Sequence, residues 1–369
     1  EFMAGMHERW PDDDEIAIFY ALSLLGTVRP GDRGFRRQAL AASIAQAVFA
    51  ENPNHPGAAH FIIHSFDDPD HAILALPAAR VYADIAPAAA HALHMPSHIF
   101  LQLGMWQDVK NSNIDAYAAA VAVNAKYGLA EGREDFHTLS WLAYANLMLG
   151  QYEAAAADLQ KAAATVDRNP GSDRVLNGYL DMRGRHMIET GEWEAADLAP
   201  VDSAEGRHGN WIAAVGMSAA HRGDQDGAKA AVTRLNALAR EAESAGDTYN
   251  YWQNTILENQ VLALTLLKNG DHEEAVSAAR HAAELEVQYM RVPSGPPKPM
   301  KPASELYADI LLAANRPEQA IDAYERALQW VPQRTPSMRG LAAAAAKSGD
   351  TATADEMNQR LRSMPGAKL

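Results

Sequence analysis

The fold is decided by residues 305–332, which read ELYADILLAANRPEQAIDAYERALQWVP. Apolar residues recur at helical spacing on both sides of a short turn at Asn315–Pro317, so the stretch predicts two helices joined by a tight connection. The second segment carries Ala320, Ala323 and Ala327, whose small side chains let the two helices cross closely. One such pair cannot bury its apolar face alone, and pairs of this kind must therefore stack on one another.

The same arrangement recurs along the chain, with a turn residue between two apolar segments. These turn residues are Gly104, Gly150, Gly191, Gly223, Gly270, Asn315 and Gly349. Their spacing, between about 30 and 50 residues, is typical of helical repeats, and glycine readily adopts the positive φ that ends the first helix of a pair. Two less regular units precede them, from Asp14 to about Asn52 with a turn at Thr27–Gly34, and from Pro56 to about Ile85 with a turn at Asp67–Asp70. We therefore predict an all-α fold, an α-α superhelix or solenoid of about eight antiparallel helix pairs.

The domain organisation follows from the repeats. We expect a single solenoid over residues 1–369, with less regular, histidine-rich repeats at 1–103 and central repeats at 104–291. A proline-rich loop covers 292–302 and holds five prolines, so it cannot be helical throughout. C-terminal pairs fill 303–369. We predict that the loop is ordered across one opening of the groove; the alternative is a mobile surface connection.

Residues 305–332 resemble a tetratricopeptide repeat, including its small–aromatic–small spacing and its terminal proline. More broadly, the chain resembles a bacterial group of tetratricopeptide-repeat proteins in three segments: HPGAAHFIIH at 55–64, HMPSHIF at 94–100 and PPKPMKP at 296–302. The group's members usually have further helices before the point where this chain begins, which suggests a truncated member. The resemblance implies binding of a protein or peptide in a concave groove, and it transfers no assigned activity.

The composition excludes several classes of site. The formal charge is −15 and no cysteine is present, so thiolate metal ligands, disulfides and cysteine nucleophiles are absent. We expect no nucleic-acid partner, because such binding needs clustered Lys and Arg. No apolar run approaches the length of a membrane helix, so we expect no membrane insertion. The protein is expected to be soluble, in the cytoplasm or the periplasm.

Histidines are concentrated near the start of the chain. Seven of the fourteen lie between His55 and His98. His60 and His64 are four residues apart, as are His94 and His98, so each pair shares one helix face. Neighbouring first helices would bring these four side chains to one metal ion, with His91 and His137 at the edge because both lie 13 residues before a turn glycine. Nitrogen and oxygen ligands without sulfur suit Zn, Cu, Ni, Mn or Fe.

Other interpretations of this segment remain open. The histidines can instead be surface residues, or core residues hydrogen-bonded to carbonyls. The acidic residues Asp67, Asp68 and Asp70 suit turn formation and helix capping, or a role as carboxylate ligands or partners that orient imidazoles. Pro96, between His94 and His98, either kinks a helix or starts a new one.

Further candidate ligand-binding residues share the register of the inner helix face. Together with His91 and His137 they are Trp141, Asp181, Arg185, Glu305, Asp309 and, from the proline-rich loop, Lys301. Trp141 is suited to stacking on a ligand. The alternatives are a helix-stabilising Asp181–Arg185 contact and a favourable position for Glu305 in the first turn of a helix.

The main functional hypothesis is a binding or scaffold protein that takes a protein, peptide or small molecule in its groove and carries a histidine-lined transition-metal site. The alternative is a metal-dependent enzyme, a hydrolase or an oxidase, with its site at the histidine cluster. A third hypothesis is metal storage or delivery without catalysis. Standard catalytic motifs such as His-Glu-x-x-His and Gly-x-Ser-x-Gly are absent from the sequence, and whether the protein is an enzyme remains open at this stage.

Overall fold

The computed structural model of the chain describes residues 1–29, 34–290 and 293–366. Within them, α- and 3-10 helices account for 76% of the residues and no strand is formed. The prediction of an all-α helical-repeat fold is therefore confirmed. Contacts between residues divide the chain into two units, Glu1–Leu129 and Ala130–Leu369. Among the described helices, none combines the length and apolar character needed to cross a membrane.

The first unit consists of short helices that follow one another closely. They are α1 (Phe2–Arg9), α2 (Asp14–Leu25), α3 (Arg36–Glu51), α4 (Pro56–Ser65), α5 (Leu76–Ile85), α6 (Ala90–His94), α7 (Pro96–Gln102) and α8 (Trp106–Tyr127), with a 3-10 turn at Ala72–Ala75. Helix α2 packs on α3, α4 on α5, and both α6 and α7 on α8. Part of the turn predicted at Thr27–Gly34 lies outside the described residues.

Alanine is the commonest buried residue of the first unit. Ala41 and Ala45 of α3 and Ala58 of α4 are fully buried, and they let neighbouring helices approach closely. Asp13 accepts a hydrogen bond from the backbone N–H of Ile16 at 3.0 Å and so caps the start of α2. The predicted turn after α4 is also present, and α5 follows it.

The second unit continues the pattern with longer helices. They are α9 (Glu134–Met148), α10 (Tyr152–Arg168), α11 (Asp173–Thr190), α12 (Gly209–Arg222), α13 (Gln225–Ser244), α14 (Thr248–Asn269), α15 (His272–Tyr289), α16 (Ala303–Ala313), α17 (Pro317–Trp330), α18 (Thr335–Ser348) and α19 (Thr351–Ser363). Helix α12 contacts α14, α14 contacts α16 and α16 contacts α18. First helices of successive pairs thus pack side by side, as stacked repeats require.

The turn residues were predicted correctly. Gly104, Gly150, Gly191, Gly223, Gly270, Asn315 and Gly349 all have a positive φ, between 61° and 91°. In each case the left-handed residue lies just after the end of a helix, where glycine and asparagine are favoured.

One expected helix is missing. The pattern after Gly191 predicts a second helix beginning near Ala195, and this prediction is wrong, because residues 191–204 are not helical. Side chains of the next two helices hydrogen-bond to the backbone of this segment instead. Ser218 of α12 donates to the carbonyl of Glu194 at 2.5 Å, and Arg234 of α13 donates to the carbonyl of Ala199 at 3.2 Å. The backbone therefore finds partners without forming a helix.

Candidate functional site

Three helices of the first unit carry the histidine cluster. Helix α4 presents His60 and His64, α6 presents His91 and His94, and α7 presents His98. Pro96 starts a new helix, which was one of the two expected outcomes. Met95 nevertheless keeps helical backbone angles, φ −53° and ψ −37°, so α6 runs into α7 with little change of direction and His98 stays one turn away from His94.

The five imidazole rings form a closed circuit. Ring centroids lie 4.6 Å apart for His60 and His64, 6.1 Å for His64 and His98 and 5.0 Å for His98 and His94. The circuit closes through His91, whose ring lies 6.4 Å from that of His94 and 5.2 Å from that of His60. The four histidines singled out as metal ligands, together with His91, thus share one small region of the first unit.

Three of these histidines are arranged like a set of metal ligands. One ring nitrogen from each of His60, His64 and His91 lies within 4.8 Å of the other two. Among the described residues, Nε2 of His60 is buried and has no hydrogen-bond partner, which is costly unless something binds it. Loss of hydration and the neighbouring imidazoles lower the pKa of His60 to about 3. The same causes lower the pKa of His64 to about 4, although Asp67 opposes the shift. Both imidazoles are therefore neutral near pH 7, the form in which they bind metals.

The remaining two histidines of the circuit form a close pair. Nε2 of His94 lies 3.2 Å from Nε2 of His98, and His94 is fully buried. The other ring nitrogen of each makes a short contact, Nδ1 of His94 with Oδ1 of Asn113 at 2.7 Å and Nδ1 of His98 with Oδ2 of Asp67 at 2.7 Å. Both rings are thus held in orientation from behind, as in proteins whose imidazoles bind metals.

Sequence reasoning missed Asn113 and did not separate the acidic residues of the turn. Asn113 lies on α8 among buried apolar positions and is itself fully buried, so the detectable signal was a polar residue within an apolar helical stripe. Asp68 has the expected turn role, because its Oδ1 accepts from the backbone N–H of Asp70 at 3.0 Å. Asp67 instead contacts His98.

The other histidines of this region have structural roles. His55 caps α4, since its Nδ1 accepts from the backbone N–H of Ala58 at 3.3 Å. His71 stacks on Phe35, with ring centroids 3.8 Å apart, and contacts Asp68 through Nδ1 at 2.8 Å.

In the second unit, the described part of the proline-rich segment, residues 293–302, packs against helix faces; Val292 lies outside the described residues. Arg185 of α11, which is buried, donates to the carbonyl oxygen of Pro297 at 2.8 Å and to that of Met300 at 3.3 Å. Gly295 faces Trp141 of α9 so closely that a Cβ on this glycine would lie 2.7 Å from the indole ring. Two predicted ligand-binding residues, Trp141 and Arg185, therefore contact the protein's own chain.

Asp181 is also engaged within the second unit. Its carboxylate lies 3.2 Å from Nε2 of His208 and 3.6 Å from Nζ of Lys298. Burial alone would raise the pKa of Asp181, but the hydrogen bond from His208 and the nearby charges of Lys298 and Arg185 hold it at about 2. His137 belongs to this unit as well, where its ring meets that of Trp141 at 5.8 Å in a T-shaped contact.

A buried charge network contains the last group of predicted residues. Lys301 lies 2.9 Å from Glu305 and 2.7 Å from Asp309. Arg334, which sequence reasoning missed, donates from Nε to Glu305 at 2.7 Å and lies 2.8 Å from Glu189. Burial would raise the pKa of Glu305, but Arg334 and Lys301 hold it well below its usual range. Lys301 and Arg334 thus pair with three carboxylates inside the unit, those of Glu189, Glu305 and Asp309.

Comparison with known proteins supports the repeat assignment. Residues 259–286, which overlap α14 and α15, match the family model described as tetratricopeptide repeat. The resemblance to such repeats is thus confirmed, on a different helix pair from the one first recognised. No curated protein matches the chain.

Solved structures with similar helical arrangements include yeast Tom70, which is 12% identical, with 95% of this chain and 85% of that one covered and a TM-score of 0.35. A signal transduction ATPase with a tetratricopeptide-repeat sensor from Pyrococcus horikoshii is 14% identical, with 94% of this chain and 52% of that one covered and a TM-score of 0.39. The human IFIT1 dimer with m7Gppp-AAAA is 13% identical, with 97% and 75% covered and a TM-score of 0.38.

Proposed function

We propose that the protein is a helical-repeat binding protein whose first unit binds a transition-metal ion through its histidine circuit. The observation that carries the proposal is the convergence of His60, His64 and His91, whose ring nitrogens lie within 4.8 Å of one another. Zinc is bound by imidazole nitrogen at about 2.0–2.1 Å. Small rotations of the three side chains bring such donors from this spacing onto one ion.

The protonation state of the cluster supports the same function. A metal ion competes with protons for imidazole nitrogens, and an imidazole with the ordinary pKa of 6.5 loses much of its binding capacity below pH 6. The lowered pKa values of His60, about 3, and His64, about 4, remove most of that competition. An all-nitrogen donor set suits Zn, Cu(II) or Ni, and it also suits Mn or Fe when carboxylates or waters complete it.

The test is metal binding by protein purified without chelators. Elemental analysis and titration with Co²⁺, whose visible absorption reports nitrogen coordination, are carried out on the wild type and on a His60→Ala, His64→Ala double variant. His281→Ala is the matched control, because His281 is exposed on α15. We expect at least one equivalent of metal in the wild type and the control, and one equivalent fewer in the double variant, with the helical circular-dichroism signal retained. Equal binding by all three proteins, or no binding by the wild type, would refute the proposal.

A metal-dependent hydrolase is the second candidate function, and one observation favours it. The His98–Asp67 contact, 2.7 Å between Nδ1 and Oδ2, lies beside the three converging histidines, since the rings of His64 and His98 are 6.1 Å apart. A bound ion lowers the pKa of its water, and a histidine oriented by a carboxylate is suited to accept the proton. Hydrolysis of activated ester substrates by the metal-loaded wild type, with none by Asp67→Asn, is the expected result.

Partner binding by the second unit remains part of the proposal. The predicted ligand-binding residues Trp141, Asp181 and Arg185 lie where the segment 293–302 packs, so a protein, peptide or small molecule bound there would also meet that segment. Glu305 and Asp309 both form ion pairs with Lys301. The expectation that nucleic acid is not a partner stays a prediction, and a binding assay with labelled RNA and DNA tests it.

A further inference from the structure

The pairing of His94 and His98 is unusual in one respect, the distance between their Nε2 atoms of 3.2 Å. At this separation two nitrogens that each carry a lone pair repel each other unless a proton or a cation lies between them. The positions of the ring protons therefore decide what the pair can bind.

The tautomer of His94 follows from its neighbours. The side-chain NH₂ of Asn113 donates to the carbonyl of Val109 at 2.8 Å, so the amide oxygen of Asn113 faces Nδ1 of His94. The hydroxyl of Ser97 donates to the carbonyl of His94 at 2.5 Å, which commits the Ser97 proton. Nδ1 of His94 must therefore donate its own proton to Asn113, and Nε2 carries a lone pair when the ring is neutral.

The tautomer of His98 follows in the same way. Its Nδ1 lies 2.7 Å from Oδ2 of Asp67, and the second oxygen of that carboxylate accepts from Nε2 of Gln102 at 3.2 Å. An ionised carboxylate is an acceptor only, so Nδ1 of His98 is the donor and Nε2 again carries a lone pair. In the neutral rings both lone pairs thus lie on the Nε2 atoms, which are 3.2 Å apart, and each ring has a hydrogen-bond acceptor at its Nδ1, as ligating imidazoles do.

The spacing matches a pair of ligands on one ion. Two nitrogens bound at about 2.0–2.1 Å with a tetrahedral angle between them lie about 3.3 Å apart, close to the 3.2 Å between the two Nε2 atoms. We infer that His94 and His98 form a second metal subsite beside the one made by His60, His64 and His91, so that the first unit holds a dinuclear transition-metal centre. Asn113 and Asp67 are positioning residues, because they fix the tautomers and touch no ion.

The two subsites adjoin through shared neighbours. His64 lies 6.1 Å from His98 and His91 lies 6.4 Å from His94, between ring centroids. This arrangement suits two ions held close together, as in metal pairs that clamp one substrate oxygen between them. The ligand class is thus an anionic oxygen bridging two cations. This inference rests on the proposed metal binding and adds a second ion to it. It is an alternative to the hydrolase described above, because a His98 whose Nε2 binds an ion cannot also accept a proton there.

The test is metal stoichiometry, measured by native mass spectrometry and elemental analysis after loading with Zn²⁺ and, separately, Co²⁺. The wild type and the exposed control His281→Ala should each take two equivalents. The single variants His98→Gln and His94→Ala should each bind one equivalent, at the subsite of His60, His64 and His91. The His60→Ala, His64→Ala double variant should also bind one equivalent, at the subsite of His94 and His98. His98→Gln covers the case in which the fully buried His94 does not tolerate substitution, since His98 is half-buried.

A second measurement reads the tautomers directly. In metal-free protein at neutral pH, ¹⁵N NMR of the imidazoles should show protons on Nδ1 of His94 and His98, and Asp67→Asn should weaken metal binding at this pair without changing the other subsite. The second subsite would be overturned if the wild type bound only one equivalent of metal, which the His60→Ala, His64→Ala double variant lost and His98→Gln kept. That result would leave the proposed function standing. A proton shared between the two Nε2 atoms that Zn²⁺ and Co²⁺ do not displace would also overturn the second subsite. No metal in the wild type would overturn both.

Discussion

Replacing Arg334 by Met should strongly destabilise the second unit. Arg334 is fully buried and lies 2.7 Å from Glu305 and 2.8 Å from Glu189, both of which are almost completely buried. Methionine has a similar length but no charge, so the variant leaves both carboxylates in the interior without Arg334, and the only cation left beside Glu305 in the network is Lys301, which Asp309 shares. Breaking a buried ion pair from one side typically costs about 3–5 kcal/mol. That is a large part of the free energy of unfolding of an ordinary domain, about 5–15 kcal/mol.

The assay is urea denaturation followed by circular dichroism at pH 7. Arg326→Met is the matched control, because Arg326 is exposed on α17, and it should change the free energy of unfolding by about 0.5 kcal/mol or less. A triple variant that adds Glu305→Gln and Glu189→Gln should recover most of the loss, since removing a whole buried network is often close to neutral.

The pH dependence gives an independent check of the same reasoning. In the wild type, Arg334 and Lys301 hold the pKa of Glu305 below its ordinary value of 4.5. The stabilisation is therefore present above pH 4.5 and is lost as the pH falls through the folded-state pKa. Without Arg334, burial favours the protonated carboxyl group, so the stability gap between variant and wild type should narrow between pH 7 and pH 5. A loss under about 1 kcal/mol, or a gap independent of pH, would refute the argument.

Three further outcomes are expected. Gly270→Ala should cost about 1–2 kcal/mol because φ is 91° at this position, and an unchanged melting temperature would contradict this. Arg185→Met removes two hydrogen bonds to carbonyls of the segment 293–302, so chymotrypsin should cleave after the buried Met300 faster than in the wild type; equal rates would show that these bonds do not hold the segment. Burial and nearby lysines lower the pKa of His221 to about 4, so protons favour the unfolded chain once the pH falls below 6.5. His221→Phe, which keeps an aromatic ring, should therefore lose about 2 kcal/mol less than the wild type between pH 7 and pH 5 in urea denaturation, and parallel losses would count against the shift.

Local features were predictable from the sequence. The residue after a helix needs a left-handed backbone, and glycine or asparagine there is a signal that depends on few neighbours, so the turns from Gly104 to Gly349 were found. Spacing of four residues places His60 and His64 on one face of α4 without knowledge of the rest of the fold. The same spacing predicts that His94 and His98 lie close together, and they do, although they belong to α6 and α7, because Met95 between them keeps helical backbone angles. The proline content of 292–302 likewise excluded a continuous helix.

Features that depend on distant partners were not predictable. Residues 191–204 look like a helix start, but their backbone is held by Ser218 and Arg234 from later helices. Arg334 is one arginine among many in the sequence, and its role depends on Glu189, 145 residues earlier. Asp67 and Asp68 are adjacent and chemically identical, and their different roles follow from where α7 packs.

The contacts of Arg334 and of the segment 293–302 also bear on how the second unit folds. In a simple repeat array each pair touches its neighbours only, so folding can begin anywhere and ends can fray independently. Here Arg334 donates to Tyr144, 190 positions earlier, and Arg185 binds Met300, 115 positions later. Such contacts raise the contact order of the unit. The entropy of closing a very long loop is lost before each of these contacts can stabilise the fold. Part of the interior of the early helices, around Tyr144 and Arg185, is therefore completed only when the C-terminal pairs have been synthesised.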